Sequence, residues 1–178
     1  MDLKEYIRSI PDYPKKGILF RDITTLIKNE KAFEETINQI IERSKKYEFT
    51  KIAAIESRGF VFASAISYLL KKPFIMLRKK NKLPAEVHSV DFELEYGTAT
   101  IEVHKDSMNE NDSILIIDDL IATGGTAEAA AKLVEVSNAK VVAFVFVINL
   151  FDLGGSDNLI KKNYKVENLI EFPGHWWR

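Results

Sequence analysis

The chain has 178 residues, and 25 Lys and Arg stand against 26 Asp and Glu, so its formal net charge is −1. Near-zero charge argues against a nucleic-acid binder, because such proteins usually carry a basic excess. The absence of cysteine excludes a disulfide framework, a thiolate nucleophile and a Cys-ligated metal site. No apolar run reaches the ~18 residues of a membrane helix. The charged start of the chain lacks the apolar segment of a signal peptide, so we expect a cytoplasmic protein.

The first 28 residues are organised differently from the rest of the chain. Pro11 and Pro14 interrupt this segment and precede a short stretch, 18–23, that is mostly apolar. We interpret it as an N-terminal arm that stands apart from any regular repeat. A helix is predicted next, over residues 30–46, because apolar residues recur there at three- and four-residue spacing.

From residue 51 onward, short apolar segments alternate with helical patterns. Strands are predicted over 51–56, 73–77, 96–103, 113–118 and 140–148, and helices over 59–70 and 126–136. Nearly continuous apolar strands separated by helices indicate an α/β fold, in which a parallel sheet is covered on both faces. The connection at about 78–96 is long and polar, and it has no helical period. We predict a mobile loop there, within one domain that spans residues 1–178.

The richest set of chemical groups follows the fourth predicted strand. This strand ends in two adjacent acids, Asp118 and Asp119, and then Gly124, Gly125 and Thr126 open an alanine-rich helix. Open α/β sheets bind ligands at the carboxyl ends of their strands. A helix start offers free N–H groups that suit a phosphate, and carboxylates accept hydrogen bonds from sugar hydroxyls. The unit is therefore interpreted as a site for a sugar phosphate.

Three other interpretations of this unit explain less of it. A P-loop would need GxxxxGK[ST], and a dinucleotide site would need GxGxxG; neither pattern occurs in the chain. A plain strand-to-helix corner would account for one acid as helix cap and one glycine as turn. It leaves the second acid and the Thr-Gly-Gly-Thr run unexplained.

The run 114–126 resembles the phosphoribosyl-pyrophosphate signature of the type I phosphoribosyltransferases. Four further stretches resemble segments of the same family in the same order, namely 20–23 (FRDI), 56–60 (ESRGF), 78–84 (RKKNKLP) and 94–97 (LEYG). Together they are similar in particular to the members of the family that use adenine. The resemblance runs from about Phe20 to Val147, which is most of the chain.

The resemblance implies a purine-salvage transferase of type I phosphoribosyltransferase fold, with a base-binding arm and a long flexible loop. Its reaction would transfer the 5-phosphoribosyl group from phosphoribosyl pyrophosphate to adenine, giving AMP and pyrophosphate. It further implies Mg²⁺, held through substrate oxygens and water without a dedicated protein site, and a homodimer. Two alternatives stay open: a hypoxanthine-guanine or xanthine specificity, and a regulator that senses phosphoribosyl pyrophosphate without chemistry.

The resemblance also assigns roles to individual residues. Glu95 is the candidate general acid or base, and Arg58 is a catalytic ligand of pyrophosphate. The implied substrate-binding residues are Leu19, Phe20, Arg21, Arg58, Arg78, Lys79, Lys82, Asp118, Asp119, Ala122, Thr123, Gly124, Gly125 and Thr126. The family often has a cis peptide before the serine of its pyrophosphate loop, which predicts one at Glu56–Ser57.

Without the resemblance, several of these residues have ordinary explanations. Arg58 is equally well explained as a solvated arginine in the first turn of a helix, and Phe20 as a core residue. A basic run such as 78–82 is usually a solvated face, and Glu95 fits the end of a hairpin. Tyr96 is interpreted as structural or loop-gating, and the tail 175–178 as packing or interface material.

Overall fold

The computed structural model of the chain describes residues 1–94 and 97–175. The strands are β1 (Arg8–Pro11), β2 (Leu19–Asp22), β3 (Lys51–Ile55), β4 (Phe74–Lys79), β5 (Val87–Leu94), β6 (Gly97–His104), β7 (Ser113–Ile121), β8 (Lys140–Leu150) and β9 (Val166–Phe172). The helices are α1 (Thr24–Ile27), α2 (Glu30–Ser44), α3 (Arg58–Leu70), α4 (Gly125–Val136) and α5 (Gly155–Lys161), with 3-10 turns at Leu3–Tyr6 and Phe151–Leu153. None of the described helices is long and apolar enough to cross a membrane.

Seven of the strands form one sheet in the order β5–β6–β4–β3–β7–β8–β9, and β1 and β2 form a separate hairpin. Neighbours from β4 to β9 run parallel, whereas β6 pairs antiparallel with both β4 and β5. The predicted α/β fold with a mainly parallel sheet is confirmed. The antiparallel pair at one edge was not predicted, because strand direction is set by pairing partners that apolar periodicity does not reveal.

The hydrophobic core has one layer on each face of the sheet. One layer joins the sheet to α2 and α3 through residues such as Ile40, Phe62 and Ile66, and the other joins it to α4 through Ala130 and its neighbours. Residues 114–117 of β7 have no exposed surface, as a strand covered on both faces requires. The two layers hold β3 and β7 side by side, and these two strands carry the candidate site.

Within the stretch interpreted from the sequence as a loop, about 78–96, the described residues 78–94 lie mostly in strands. β4 continues through Lys79, and β5 pairs with β6 along eight positions, from Val87 opposite His104 to Leu94 opposite Gly97. The strand β5 was missed although polar and apolar residues alternate over 89–94, a pattern typical of a half-buried strand. The mobility of the segment stays a prediction. β9 and α5 were also missed, and β7 and β8 run further than predicted, to Ile121 and Leu150.

The N-terminal arm is a hairpin that is fastened to the end of the chain. The guanidinium of Arg21 donates to Ser9 Oγ at 2.6 Å and to the Pro173 carbonyl at 3.1 Å, and it lies 4.2 Å from the centre of the Phe172 ring. Ile18 forms an isolated bridge with His175. These contacts set the position of the arm relative to β9.

The last residue of β2, Asp22, makes the stability of the arm dependent on pH. Hydrogen bonds from Thr24 and Arg8 lower the pKa of Asp22 to about 2, and Arg8 Nη2 lies 2.5 Å from its carboxylate. A carboxyl with a lowered folded-state pKa contributes stability above its unfolded pKa and loses it as the pH falls towards the folded value.

We therefore expect the Asp22→Asn variant to be less stable than wild type at neutral pH, with a difference that shrinks between about pH 4 and pH 2. Urea unfolding of both proteins at several pH values measures this difference. Asp106→Asn, which removes an exposed carboxylate after β6, serves as the control. A difference for Asp22→Asn that is independent of pH would contradict the assignment.

Candidate active site

A cavity of about 790 Å³ opens at the carboxyl ends of β3 and β7. This is the edge at which open α/β sheets bind ligands. Ten of the residues predicted from the sequence line the cavity: Arg58, Lys79, Lys82, Asp118, Asp119, Ala122, Thr123, Gly124, Gly125 and Thr126. Tertiary folding thus brings three separate sequence segments to one place, at the starts of α3 and α4 and in the turn after β4.

The acid pair of β7 is coupled directly to Arg58. Arg58 Nε donates to Asp119 Oδ2 at 2.6 Å, and the Asp119 side chain is 8% exposed against 55% for Arg58. The carboxylate of Asp119, with that of Asp118 beside it, raises the pKa of Arg58. A guanidinium has five N–H donors, so this pairing uses only part of its capacity. Arg58 can therefore bind an anion while Asp119 orients it.

Asp118 sits in an environment that disfavours its charge. Burial, and then the neighbouring carboxylate of Asp119, raise the pKa of Asp118 well above its usual range. The N–H of Asp119 donates to Asp118 Oδ1 at 2.8 Å, which only partly compensates. A ligand that brings hydroxyl donors or a cation to this pair would relieve the uncompensated charge. The electrostatics therefore favour a ligand that brings hydroxyl donors or positive charge to this point.

Close packing of α3 against β7 depends on Gly59. A Cβ at this position would lie 2.9 Å from Asp118 Oδ1 and 3.2 Å from the Ile117 carbonyl oxygen. The missing side chain lets the first turn of α3 approach the end of β7, so Arg58 reaches Asp119. The peptide bond between Glu56 and Ser57 is cis, as predicted.

The phosphate loop, residues 122–126, is supported by a glycine that the sequence analysis missed. The N–H of Gly155 donates to the Ala122 carbonyl at 3.1 Å. A Cβ on Gly155 would lie 2.4 Å from the same oxygen and 2.8 Å from Gly124 N. Gly155 therefore lies directly beneath the loop. The available signal was a second Gly-Gly pair, residues 154–155, which follows the buried strand β8.

The basic segment divides differently from the prediction. Lys79, Lys80 and Lys82 line the cavity. Arg78 is not among the lining residues, and its Nε lies 3.3 Å from a carboxylate oxygen of Glu56. Alternation along β4 separates Arg78 from Lys79, because adjacent residues of a strand point to opposite faces of the sheet, and Lys80 and Lys82 follow in the turn after β4. Lys80, which is not among the binding residues predicted from the sequence, lines the cavity in place of Arg78.

The predicted base-binding residues lie on β2, outside the set that lines the cavity. Phe20 packs edge-on against Tyr13, with 5.1 Å between ring centroids. The side chain of Arg21 is engaged with the end of the chain, as described above. The carboxylate of Asp22, at the end of β2, adds to the effect of Asp119 in raising the pKa of Arg58. The roles of Leu19, Phe20 and Arg21 in binding a base stay predictions.

Several predicted features lie outside the residues that the structure describes. Glu95 and Tyr96 belong to this group, and so do the last three residues of the tail, 176–178. Within the tail, His175 Nδ1 lies 2.8 Å from Asp152 Oδ2, which agrees with a packing role.

Within residues 1–94 and 97–175, no group of three or more His, Cys, Asp or Glu side chains is arranged to hold a metal ion. The carboxylates that line the cavity are Glu56, Asp118 and Asp119, and two of these are already paired with arginines. Oxygen donors suit Mg²⁺, which keeps several waters and binds substrate phosphates. The residues therefore fit an ion that is held mainly by substrate oxygens and water.

The chain belongs to the phosphoribosyl transferase family, since the model of the phosphoribosyl transferase domain matches residues 22–175. This agrees with the class that the fold and the cavity define, and it confirms the resemblance found in the sequence. The relatives named next are all adenine phosphoribosyltransferases. The enzyme of that name from Pelagibacter ubique is 85% identical over 175 residues, covering 98% of this chain and 100% of the relative.

Solved structures of the same enzymes share the fold. Adenine phosphoribosyltransferase from Thermoanaerobacter pseudethanolicus matches with a TM-score of 0.91 and 45% identity, over 96% of this chain and 98% of the other. The Giardia lamblia enzyme, solved in complex with 9-deazaadenine, matches with a TM-score of 0.90 and 32% identity, over 96% of each chain.

Proposed function

We propose that this protein is a purine-salvage enzyme that transfers the 5-phosphoribosyl group from phosphoribosyl pyrophosphate to adenine, giving AMP and pyrophosphate. One observation carries the proposal. A phosphate loop, an acid pair held by a guanidinium, and a group of lysines line a single cavity, in a chain whose relatives are adenine phosphoribosyltransferases.

The cavity suits a reaction in which a pyrophosphate leaves and a ribose carbon becomes positive. Catalysis of that step depends on stabilising the departing anion more than on a strong nucleophile. We assign this task to Arg58, Lys79, Lys80 and Lys82. Asp118 and Asp119 would accept hydrogen bonds from the ribose hydroxyls, and the N–H groups at the start of α4 would hold the 5′-phosphate.

The adenine is assigned to the space between the cavity and the N-terminal hairpin. β2 belongs to a two-stranded sheet, so alternate backbone N–H and C=O groups point away from its partner strand. Such groups offer one donor and one acceptor side by side, as the N1 and amino group of adenine require. Phe20 would stack on the base. Glu95 is proposed to take or give the proton at the imidazole edge of the base.

Magnesium is proposed as the cofactor, held by substrate oxygens and water beside Asp118 and Asp119. When bound, the ion supplies positive charge to the pyrophosphate oxygens.

We also propose a homodimer of single-domain chains in the cytoplasm, with no nucleic-acid or membrane partner. Support for the dimer comes from exposed apolar side chains on one side of the sheet: Val61 at 37%, Tyr68 at 82% and Leu69 at 54% on α3, with Met76 at 47% on β4. Tyr68 and Leu69 are seven and eight residues after Val61, so the three side chains lie on the same face of α3. Light scattering of the purified protein measures the oligomeric state and so tests the proposed dimer.

An assay of the purified chain tests the proposed function. With adenine, phosphoribosyl pyrophosphate and Mg²⁺, we expect AMP and pyrophosphate in equal amounts. Adenine should be preferred over hypoxanthine by at least about 100-fold, because a 6-oxo purine leaves buried backbone groups unpaired. Chelation of Mg²⁺ should abolish turnover. Pyrophosphate release with hypoxanthine only would favour the alternative specificity, and binding without turnover would favour the sensor.

A further inference from the structure

Glu102 is a buried carboxylate that the proposed mechanism does not use. It lies in the middle of β6 and is 6% exposed, between the apolar residues Ile101 and Val103. Burying a carboxylate is costly unless hydrogen bonds satisfy it. The partners that satisfy Glu102 therefore indicate what the residue holds in place.

Both carboxylate oxygens of Glu102 are engaged, and the two donors come from different segments. Oε1 accepts the backbone N–H of Asn81 at 2.9 Å, and Oε2 accepts the Ser89 hydroxyl at 2.5 Å. Ser89 is directly opposite Glu102 on β5, and Asn81 belongs to the turn 80–86 that joins β4 to β5. One side chain thus ties the turn to the two antiparallel strands.

The turn held in this way carries the lysines at the mouth of the cavity. Lys80 and Lys82, which flank Asn81, both line the cavity. The bond from Glu102 reaches the backbone between them, next to the Lys80 N–H, which donates to the Thr100 carbonyl at 3.2 Å. Beyond Lys80, the Glu102 bond therefore helps to set where the Lys82 side chain starts. Lys80 is also close enough for its charge to act on the Glu102 carboxylate.

We propose that Glu102 is a positioning residue, which holds the turn 80–86 so that Lys80 and Lys82 face the pyrophosphate. This inference rests on the proposed function for its ligand, and on the two hydrogen bonds for its geometry. To hold the turn, Glu102 needs an acceptor oxygen but not a negative charge, because the donor in the turn is the neutral backbone N–H of Asn81. A glutamine keeps such an oxygen, and the Ser89 hydroxyl can accept from the amide.

Steady-state kinetics of Glu102→Ala and Glu102→Gln test the proposal. Glu102→Ala should raise KM for phosphoribosyl pyrophosphate on the order of tenfold while KM for adenine stays within about twofold, since misplaced binding groups weaken only the ligand they contact. Glu102→Gln should recover most of that loss. An equal rise of both KM values in Glu102→Ala, or a glutamine variant as impaired as the alanine variant, would overturn the positioning role.

Asp112 provides the matched control. It is also a buried carboxylate, at 8% exposure, and it likewise accepts a backbone N–H of a turn, from Asn109 at 3.0 Å, and a hydroxyl, from Thr50 at 2.8 Å. It lies just before β7, at the amino-terminal ends of the parallel strands, whereas the cavity opens at their carboxyl ends. Asp112→Ala should lower the melting temperature as Glu102→Ala does, without a change in KM for phosphoribosyl pyrophosphate. An equal effect of both variants on that KM would show a general loosening of the fold and would overturn the proposal.

A second measurement separates this inference from the proposed function. Trypsin cleaves after lysine, so a released turn should be cut after Lys80 and Lys82 several times faster in Glu102→Ala than in wild type or Asp112→Ala. Unchanged cleavage there would overturn the anchoring role even if the kinetics agreed. If wild-type protein formed no AMP, the proposed function would fail, and the cleavage pattern would still decide whether Glu102 holds the turn.

Discussion

Gly155→Ala is expected to lower kcat/KM for phosphoribosyl pyrophosphate by about 100-fold, the order of loss that an ångström of misplacement causes. The added methyl carbon would lie 2.4 Å from the Ala122 carbonyl oxygen and 2.8 Å from Gly124 N, which are backbone atoms of the phosphate loop. Backbone atoms held by a strand and a helix cannot yield separately, so the loop has to shift. Initial rates at varied phosphoribosyl pyrophosphate, together with thermal unfolding, measure the effect.

The neighbouring glycine provides the control for this prediction. Gly154→Ala adds the same methyl where no heavy atom lies within 4 Å, although the backbone φ of 79° costs the alanine some strain. Gly154→Ala should therefore be less stable than wild type with an unchanged kcat/KM for phosphoribosyl pyrophosphate. Gly155→Ala should be less stable and should also have a lower kcat/KM. If the two variants had the same kcat/KM for phosphoribosyl pyrophosphate, the inference that Gly155 supports the loop would be wrong.

Asp119→Asn is expected to reduce kcat/KM for phosphoribosyl pyrophosphate by about 10- to 100-fold, which corresponds to the loss of one hydrogen bond between charged groups. The substitution removes the charge that holds Arg58 Nε at 2.6 Å, which is also the charge proposed to face the ribose. Substrate-dependence assays of the variant, with the exposed Asp106→Asn as reference, measure the loss.

A double-mutant cycle distinguishes the two roles of Asp119. If Asp119 acts by orienting Arg58, the effects of Asp119→Asn and Arg58→Gln are non-additive, and the double variant is hardly worse than the more impaired single variant. If Asp119 serves only the ribose, the two losses multiply. Full multiplication would contradict the orienting role that the short contact indicates.

The shape of the acid pair and of the predicted phosphate loop that follows it was predictable because these residues are contiguous in the chain. Asp118, Asp119 and the run from Ala122 to Thr126 lie on one strand, one turn and one helix start, and local geometry is enough to place them. Their position at the carboxyl edge follows from the parallel sheet, which the apolar strand pattern indicates. The contributions of Gly155 and Glu102 were not predictable, because each acts on a segment more than 20 residues away in the sequence.

The edge of the sheet shows a second limit of prediction from the sequence. Polar and apolar residues alternate over residues 89–94 of β5, as in a half-buried strand, but only the pairing with β6 shows which strand it joins. At the end of β4, Lys79 lines the cavity while Arg78 meets Glu56, since one step along a strand reverses the side-chain direction, and Lys80 and Lys82 line the cavity from the turn that follows.

The amino-acid sequence by itself determined the α/β class, the family and the strand-to-helix position of the glycine-rich run 122–126, because apolar periodicity and contiguous motifs are local properties. It also showed that, in a chain whose net charge is −1, the basic run 78–82 and the acid pair Asp118 and Asp119 occupy different segments. Only the tertiary structure decided that these charges meet, with Arg58 on Asp119, and that Gly155 and Glu102 support loops distant in sequence. Such contacts depend on which strands pair and how closely helices approach them, and a one-dimensional pattern does not carry that information.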